Sequence, residues 1–117
     1  MKDFRTLKVW EKSHQFTLKI YSLSRNFPKD ELFGLISQIR RASSSIAINI
    51  AEGCGRGSDA DFARFLQISM GSASETEYLI MLCADLEYIP NDSKETLLLE
   101  VQELKMMLAS LIKTIRK

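Results

Sequence analysis

The residues best suited to chemistry are concentrated at the centre of the chain. Between Ser37 and Asp61 stand adjacent arginines, three consecutive serines, an asparagine among isoleucines, and the run Gly53-Cys54-Gly55-Arg56-Gly57. On a helical wheel of about 100° per residue, Gln38, Arg41, Ser45, Asn49 and Glu52 share one arc roughly 80° wide, beside the apolar stripe of the same helix. A polar arc on that flank is partly buried, so its members need hydrogen-bonding partners, and a carboxylate such as Glu52 matches a guanidinium in geometry. The pattern therefore reads as a structural polar network that fixes helix register. A catalytic array would need a nucleophile beside a base, or a cluster of metal ligands. The single histidine, His14, reads as a helix-face residue, and Glu52, Asp61 and Glu75 have no nucleophile, metal set or cofactor loop to accompany them. No catalytic residue, metal site or cofactor is assigned, and the expectation is a protein that is not an enzyme.

The glycine run invites a phosphate-loop reading. A phosphate loop of the Walker type needs a strand before it and Lys-Ser/Thr after it, whereas here a helix precedes and no lysine follows. Asp59 and Asp61 already occupy the positive end of the next helix. The run reads as a helix stop and turn. Cys54 and Cys83 are too few for a disulfide framework and too far apart for a paired metal motif, so they read as one reduced thiol in a loop and one in the core.

Charge is the other chemical signal. The net charge of +1 hides three blocks: residues 1–29 carry +5, residues 30–104 carry −8 and residues 105–117 carry +4. A one-sided basic surface can bind phosphate backbones without base specificity, and it can equally be a solvated surface that follows helix-dipole preference.

These residues are positioned by four amphipathic segments. Clustered glycines at 53–57 and the prolines Pro28 and Pro90 divide the chain into four stretches with helical periodicity and none with the period of a strand. The first carries Val9, Phe16, Ile20, Leu23 and Phe27. The second carries Leu32, Leu35/Ile36, Ile39, Ala42, Ile46 and Ile50, with Gly53 as its C-terminal stop. The third opens at a Ser58 cap and follows Phe62, Phe65/Leu66, Ser69, Ala73, Thr76, Ile80, Cys83 and Leu86. The fourth opens at Asp92 and Glu95 and follows Leu97, Val101, Leu104, Leu108, Leu111 and Ile115. The expected fold is all-α, one domain over residues 1–117, an antiparallel up-down-up-down four-helix bundle. Small residues at mid-helix in the second and third segments, including Gly71, predict a tight seam between them. That topology gathers Lys2, Arg5, Lys8, Lys12, Arg56, Lys113, Arg116 and Lys117 at one end. The apolar run Leu79–Ala84 is far below the roughly 18 residues of a membrane span, and the charged N-terminus has no signal-peptide core, so a cytoplasmic location without membrane contact is expected.

The pattern Glu31-x-x-Gly34-Leu35-x-x-Gln38-x-Arg40-Arg41-Ala42, followed by Asn49-Ile50-Ala51-Glu52-Gly53, resembles the small bacterial four-helix-bundle proteins associated with intervening sequences in 23S ribosomal RNA genes. The resemblance spans nearly the whole chain. It implies a homo-oligomer, a pentamer by similarity to the related accessory protein of diversity-generating retroelements, with no known catalytic activity. That accessory protein is a basic binder of nucleic acid and reverse transcriptase. The chain departs from the family pattern at Ala47, where proline is frequent, at Ala73 and Thr76, where leucines are usual, and at Glu87, where glycine commonly precedes Tyr88. A second face of helix two, Ser37, Ser44, Ala47, Ile48 and Ala51, offers a contact surface for a neighbouring subunit. Two functions are therefore expected to compete: binding of RNA or DNA through the basic end, and an assembly or adaptor role with a protein partner.

Overall fold

The computed structural model describes residues 2–116. Four helices form, α1 (Lys8–Ser24), α2 (Ser37–Cys54), α3 (Asp59–Asp85) and α4 (Asn91–Ile115), and no strand occurs among the described residues. Cross-links between them fix the directions of the helices. Thr17 Oγ1 donates to the Ser43 carbonyl of α2 at 3.2 Å, while Arg40 reaches Ser24 and Tyr21 of α1. Arg41 pairs with Glu75 at 2.7 Å and Ser69 Oγ donates to the Ile46 carbonyl at 2.8 Å. Lys12 and Lys19 of α1 reach Glu103 and Glu100 of α4. In each pair the number rises on one helix as it falls on the other, so the α1–α2, α2–α3 and α1–α4 neighbours are antiparallel. Four apolar stripes meet in one core that includes Phe16, Ile20, Ile39, Ile46, Ile50, Leu66, Ile80, Val101, Leu104 and Leu108.

The small polar residues belong to this packing. Ser43, Ser44 and Ser45 diverge around the helix: Ser43 is buried toward α1, Ser44 donates to its own helix at Arg41, and Ser45 meets Ser72 of α3. The buried hydroxyls of Ser13, Thr17, Ser24, Ser43, Ser69 and Thr76 each have a hydrogen-bond partner, so their burial carries no orphan penalty. The two adjacent arginines likewise divide, Arg40 to α1 and Arg41 to α3.

Several local expectations are corrected. Gly53 does not stop α2, which continues to Cys54; it lies inside the helix, where an added Cβ would stand 2.9 Å from Phe65 Cβ and 3.0 Å from Phe62 Cδ1. Gly53 is therefore the close-approach residue of the α2–α3 seam. Gly71 is not, because it faces open space. Leu32 and Leu86, expected in the core, are exposed, since both lie where their helix gives way to a turn. Cys54 is buried at the end of α2 rather than in a loop. Asp92 does not cap α4, which begins behind Pro90 with no side-chain cap. Ser58 does cap α3, accepting from the Asp61 amide at 3.2 Å.

Candidate nucleic-acid interface

Three chain segments converge at one end of the bundle. The Lys2 amide donates to the Cys54 carbonyl at 3.2 Å, which fastens the N-terminal segment to the end of α2. A small cavity there is lined by Lys2, Arg56, Ser58 and Asp59. Lys8 lies with Ser110 and Thr114 along the groove between α1 and α4, while Lys113 and Arg116 line a groove with Gln67 and Met70 of α3. The structure thus brings Lys2, Arg5, Lys8, Arg56, Lys113 and Arg116 to the same end, with Lys12 one turn further along α1. Lys117 lies outside the described residues.

These cations differ in how free they are. Arg5 pairs with Asp3 at 3.0 Å, Lys12 with Glu103 at 3.1 Å and Arg56 with Glu52 at 3.3 Å. Lys2, Lys8, Lys113 and Arg116 are exposed and form no ion pair among the described residues. The guanidiniums of Arg56 and Arg64 also lie over the Phe65 ring, 4.8 and 4.6 Å from its centroid, which holds two planar cations on the surface beside the turn. The amides at the start of α3 are already answered by the Ser58 cap and by Asp59 and Asp61 in the first turn. Lysine and arginine side chains are therefore the groups available to an anion.

The polar arc of α2 resolves into separate contacts. Asn49 Nδ2 donates to the Ser45 carbonyl at 2.8 Å and to Ser45 Oγ at 2.9 Å, and Ser72 Oγ of α3 donates to the same hydroxyl at 2.9 Å. This triad is half-buried and links α2 to α3. Arg41 and Glu75 pair across the same seam but in solvent, while Glu52 and Arg56, whose side chains are 50% and 45% exposed, form a local i,i+4 pair at the end of α2. Glu52 thus answers an arginine one turn ahead of it, not Arg41, and Gln38 is exposed and joins none of these contacts.

Sequence reasoning missed two anchors. Arg40 Nε donates to buried Ser24 Oγ at 2.8 Å, its Nη2 donates to the Tyr21 carbonyl in the last turn of α1 at 3.3 Å, and its guanidinium covers the Tyr21 ring. Glu31 is the second. Its carboxylate accepts the Leu35 amide at 3.2 Å and the Tyr88 hydroxyl at 3.0 Å, tying the α1–α2 connection to the α3–α4 turn. Gly34 makes this possible, because a Cβ there would stand 2.7 Å from Glu31 Oε1. The Glu-x-x-Gly-Leu spacing was the available signal: it places an acid one turn before an amide, with no side chain between them.

Among the described residues, the thiols are not prepared as nucleophiles. Burial pushes the Cys83 thiol up to about 11, with the Glu31 charge adding to it. Cys54 is also raised, chiefly by burial, although nearby Lys2 opposes the shift. A raised thiol is a poor nucleophile at neutral pH. The Tyr88 phenol is raised first by the hydrogen bond it donates to Glu31 and then by burial. Among the described residues no group of histidine, cysteine, aspartate and glutamate is arranged to hold a metal ion, and no helix is long and apolar enough to cross a membrane.

The family model described as 23S rRNA-intervening sequence protein matches residues 5–110. The fold is similar to the crystal structure of a protein of unknown function from the S23 ribosomal protein family of Bacteroides thetaiotaomicron. The two chains are 34% identical with a TM-score of 0.83, over 90% of this chain and 95% of that one. No curated protein matches the sequence.

Proposed function

The chain belongs to the 23S rRNA-intervening sequence protein family, and from that premise we propose that it is a non-enzymatic, cytoplasmic, oligomeric bundle that binds nucleic acid, structured RNA foremost, through its basic end. The observation that carries the reading is the gathering of Lys2, Lys8, Lys113 and Arg116 from two ends of the chain onto one end of the fold, none of them neutralised by an ion pair among the described residues. Arg56 and Arg64 lie on the Phe65 ring, each also paired with a carboxylate, Glu52 and Asp61, and so add less. Phosphate contacts of this kind position a protein on a nucleic acid without selecting a sequence.

Assembly strengthens the effect. One end provides few phosphate contacts, whereas a ring of subunits repeats them around an axis. The resemblance implies a pentamer, and the contact surface of α2 favours association because Ile48 is 59% exposed beside Ser37, Ser44 and Ala51. Ala47, which shared that face in the sequence pattern, is instead buried against the bundle. The test is fluorescence anisotropy with labelled hairpin RNA, single-stranded RNA and duplex DNA at low salt, alongside light scattering. Saturable binding by a species larger than the 13.4 kDa monomer is expected. Absence of binding to all three would move the assignment to a protein partner, and a monomer at every concentration would remove the ring.

A further inference from the structure

Two arginines at the basic end are held in a way that phosphate binding does not explain. The guanidiniums of Arg56 and Arg64 lie over one ring, Phe65, and each is also paired with a carboxylate, Arg56 with Glu52 at 3.3 Å and Arg64 with Asp61 at 3.5 Å. A guanidinium answered by a carboxylate has less charge to offer a phosphate, but it keeps its plane. The support beneath it is fixed. Gly53 has no side chain, so the Phe65 Cβ comes close to the α2 backbone, and the Arg56 amide donates to the Gly53 carbonyl at 3.1 Å. The ring is therefore set by the α2–α3 seam, and the arginines above it are set by the ring and by the carboxylates. They cover Phe65, which is 9% exposed, yet their own side chains are 45% and 58% exposed. The side of each arginine away from the ring is open to solvent.

The surroundings state which part of a nucleic acid suits this surface. Arg64 stands one turn before Gln67 on α3, and Gln67 lines a groove with Lys113 and Arg116. Arg56 lines the cavity at the turn with Lys2 and Asp59. Asp59 is exposed and forms no ion pair among the described residues, so Glu52, Asp59 and Asp61 stand against Lys2, Arg56 and Arg64 and the turn is close to neutral. A phosphate is drawn past it to Lys113 and Arg116. A nucleobase is uncharged at neutral pH, meets no repulsion from these carboxylates, and stacks on guanidinium planes when it is unpaired. Deepening the nucleic-acid reading, on which it rests, we infer that Arg56 and Arg64, backed by Phe65, form a stacking surface for an unpaired nucleobase of a strand whose phosphates lie along Lys113 and Arg116. A base inside a duplex is already stacked on both sides, so the surface favours loops and single strands. The other aromatic row near this end, Phe4, Trp10 and His14, packs ring on ring, with Phe4 and Trp10 against the core.

The test titrates the full-length protein at low salt into fluorescein-labelled oligodeoxyadenylate and into an abasic deoxyribose-phosphate strand of equal length. The two strands carry the same phosphates and differ only in their bases. Oligodeoxyadenylate should bind about tenfold tighter. In Arg56→Lys with Arg64→Lys, which keeps both charges and removes both planes, that preference should fall to about twofold or less, while the affinity for the abasic strand, the salt dependence, the melting curve and the oligomer size stay as in the parent. Each single lysine variant should lose part of the preference, which decides the matter if the double variant melts early. The triple variant Lys8→Gln, Lys113→Gln and Arg116→Gln should weaken both strands and leave their ratio unchanged. Equal affinity of the two strands in the parent would overturn the inference and leave the basic end as a phosphate site. A preference that survives the double lysine variant would overturn it too, and quenching of Trp10, the sole tryptophan, would then place the base on the Trp10 row. Failure of both strands, hairpin RNA and duplex DNA to bind would instead remove the nucleic-acid reading itself, and the stacking surface with it.

Discussion

Alanine at Gly53 and alanine at Gly71 should change stability in opposite directions, although both glycines lie inside helices. Replacing a mid-helix glycine gains about 1 kcal/mol through helix propensity and the reduced freedom of the unfolded chain. Gly71 faces open space, so the gain should be realised in full. At Gly53 the new Cβ would stand 2.9 Å from the Cβ of Phe65, an atom fixed by the α3 backbone that cannot rotate away, and 3.3 Å from the Phe62 carbonyl oxygen. The helices must part, and overpacking of this kind costs about 1–3 kcal/mol. Gly71→Ala is therefore expected to stabilise by about 1 kcal/mol, and Gly53→Ala to destabilise by up to about 2 kcal/mol, a separation of about 4–12 °C in melting temperature. Urea titration at one fixed protein concentration, with unchanged m values, is the assay, because the apparent stability of an oligomer depends on concentration. Two variants that shift together in the same direction would refute the placement of the seam at Gly53.

Further outcomes follow from other positions. Glu87 holds φ at 65° at the end of α3, where Glu87 and Tyr88 amides return to the Ala84 and Cys83 carbonyls in a Schellman turn, so Glu87→Gly should stabilise by about 0.5–1 kcal/mol in the same urea assay. Glu52→Gln breaks a solvent-exposed pair and should cost less than about 1 kcal/mol; a loss several times larger would mean that Glu52 is buried in the assembled protein. Stability should fall as pH rises between about 9 and 11, because the unfolded chain ionises Cys83 near its ordinary value while the folded thiol stays protonated up to about 11. The raised Tyr88 acts in the same direction. Melting of Cys83→Ala against the parent at pH 7 and pH 10 isolates the cysteine part, which should appear as a shallower alkaline decline.

Periodicity carried the architecture well. Val9, Phe16, Ile20 and Phe27, Ile39 through Ile50, Phe62 through Cys83, and Leu97 through Leu108 lie in the core as their spacing implies. A 3.6-residue repeat reports which face is buried, and long helices average over local errors. The repeat fails at its ends, where Leu32 and Leu86 enter turns whose geometry depends on a partner distant in sequence, Glu31 meeting Tyr88 across 57 positions. Glycine roles were legible only in kind. A glycine inside a helix signals either close approach or nothing, and only the position of the neighbouring helix separates Gly53 from Gly71. The departure at Glu87 was more informative, since a position where glycine is common marks a positive φ, and the angle is there. For the candidate interface, charge blocks combined with topology placed basic residues from separate segments at one end, but which cations are neutralised by a neighbour depends on side-chain reach. The polar arc of α2 divided into separate pairs for the same reason: an arc gives direction, while the partner is set by the facing helix.

The central claim, that the basic end holds nucleic acid, is tested most directly by the salt dependence of binding in the triple variant Lys8→Gln, Lys113→Gln and Arg116→Gln. On duplex DNA the slope of log K against log salt is about −0.9 per neutralised phosphate, and about −0.7 on single strands. Each of these side chains that contacts a phosphate should flatten the slope by that amount, so the variant should bind more weakly and less steeply in salt while its oligomer size and melting curve match the parent. A slope and affinity indistinguishable from the parent, with the fold intact, would contradict the account and place the contact elsewhere on the molecule.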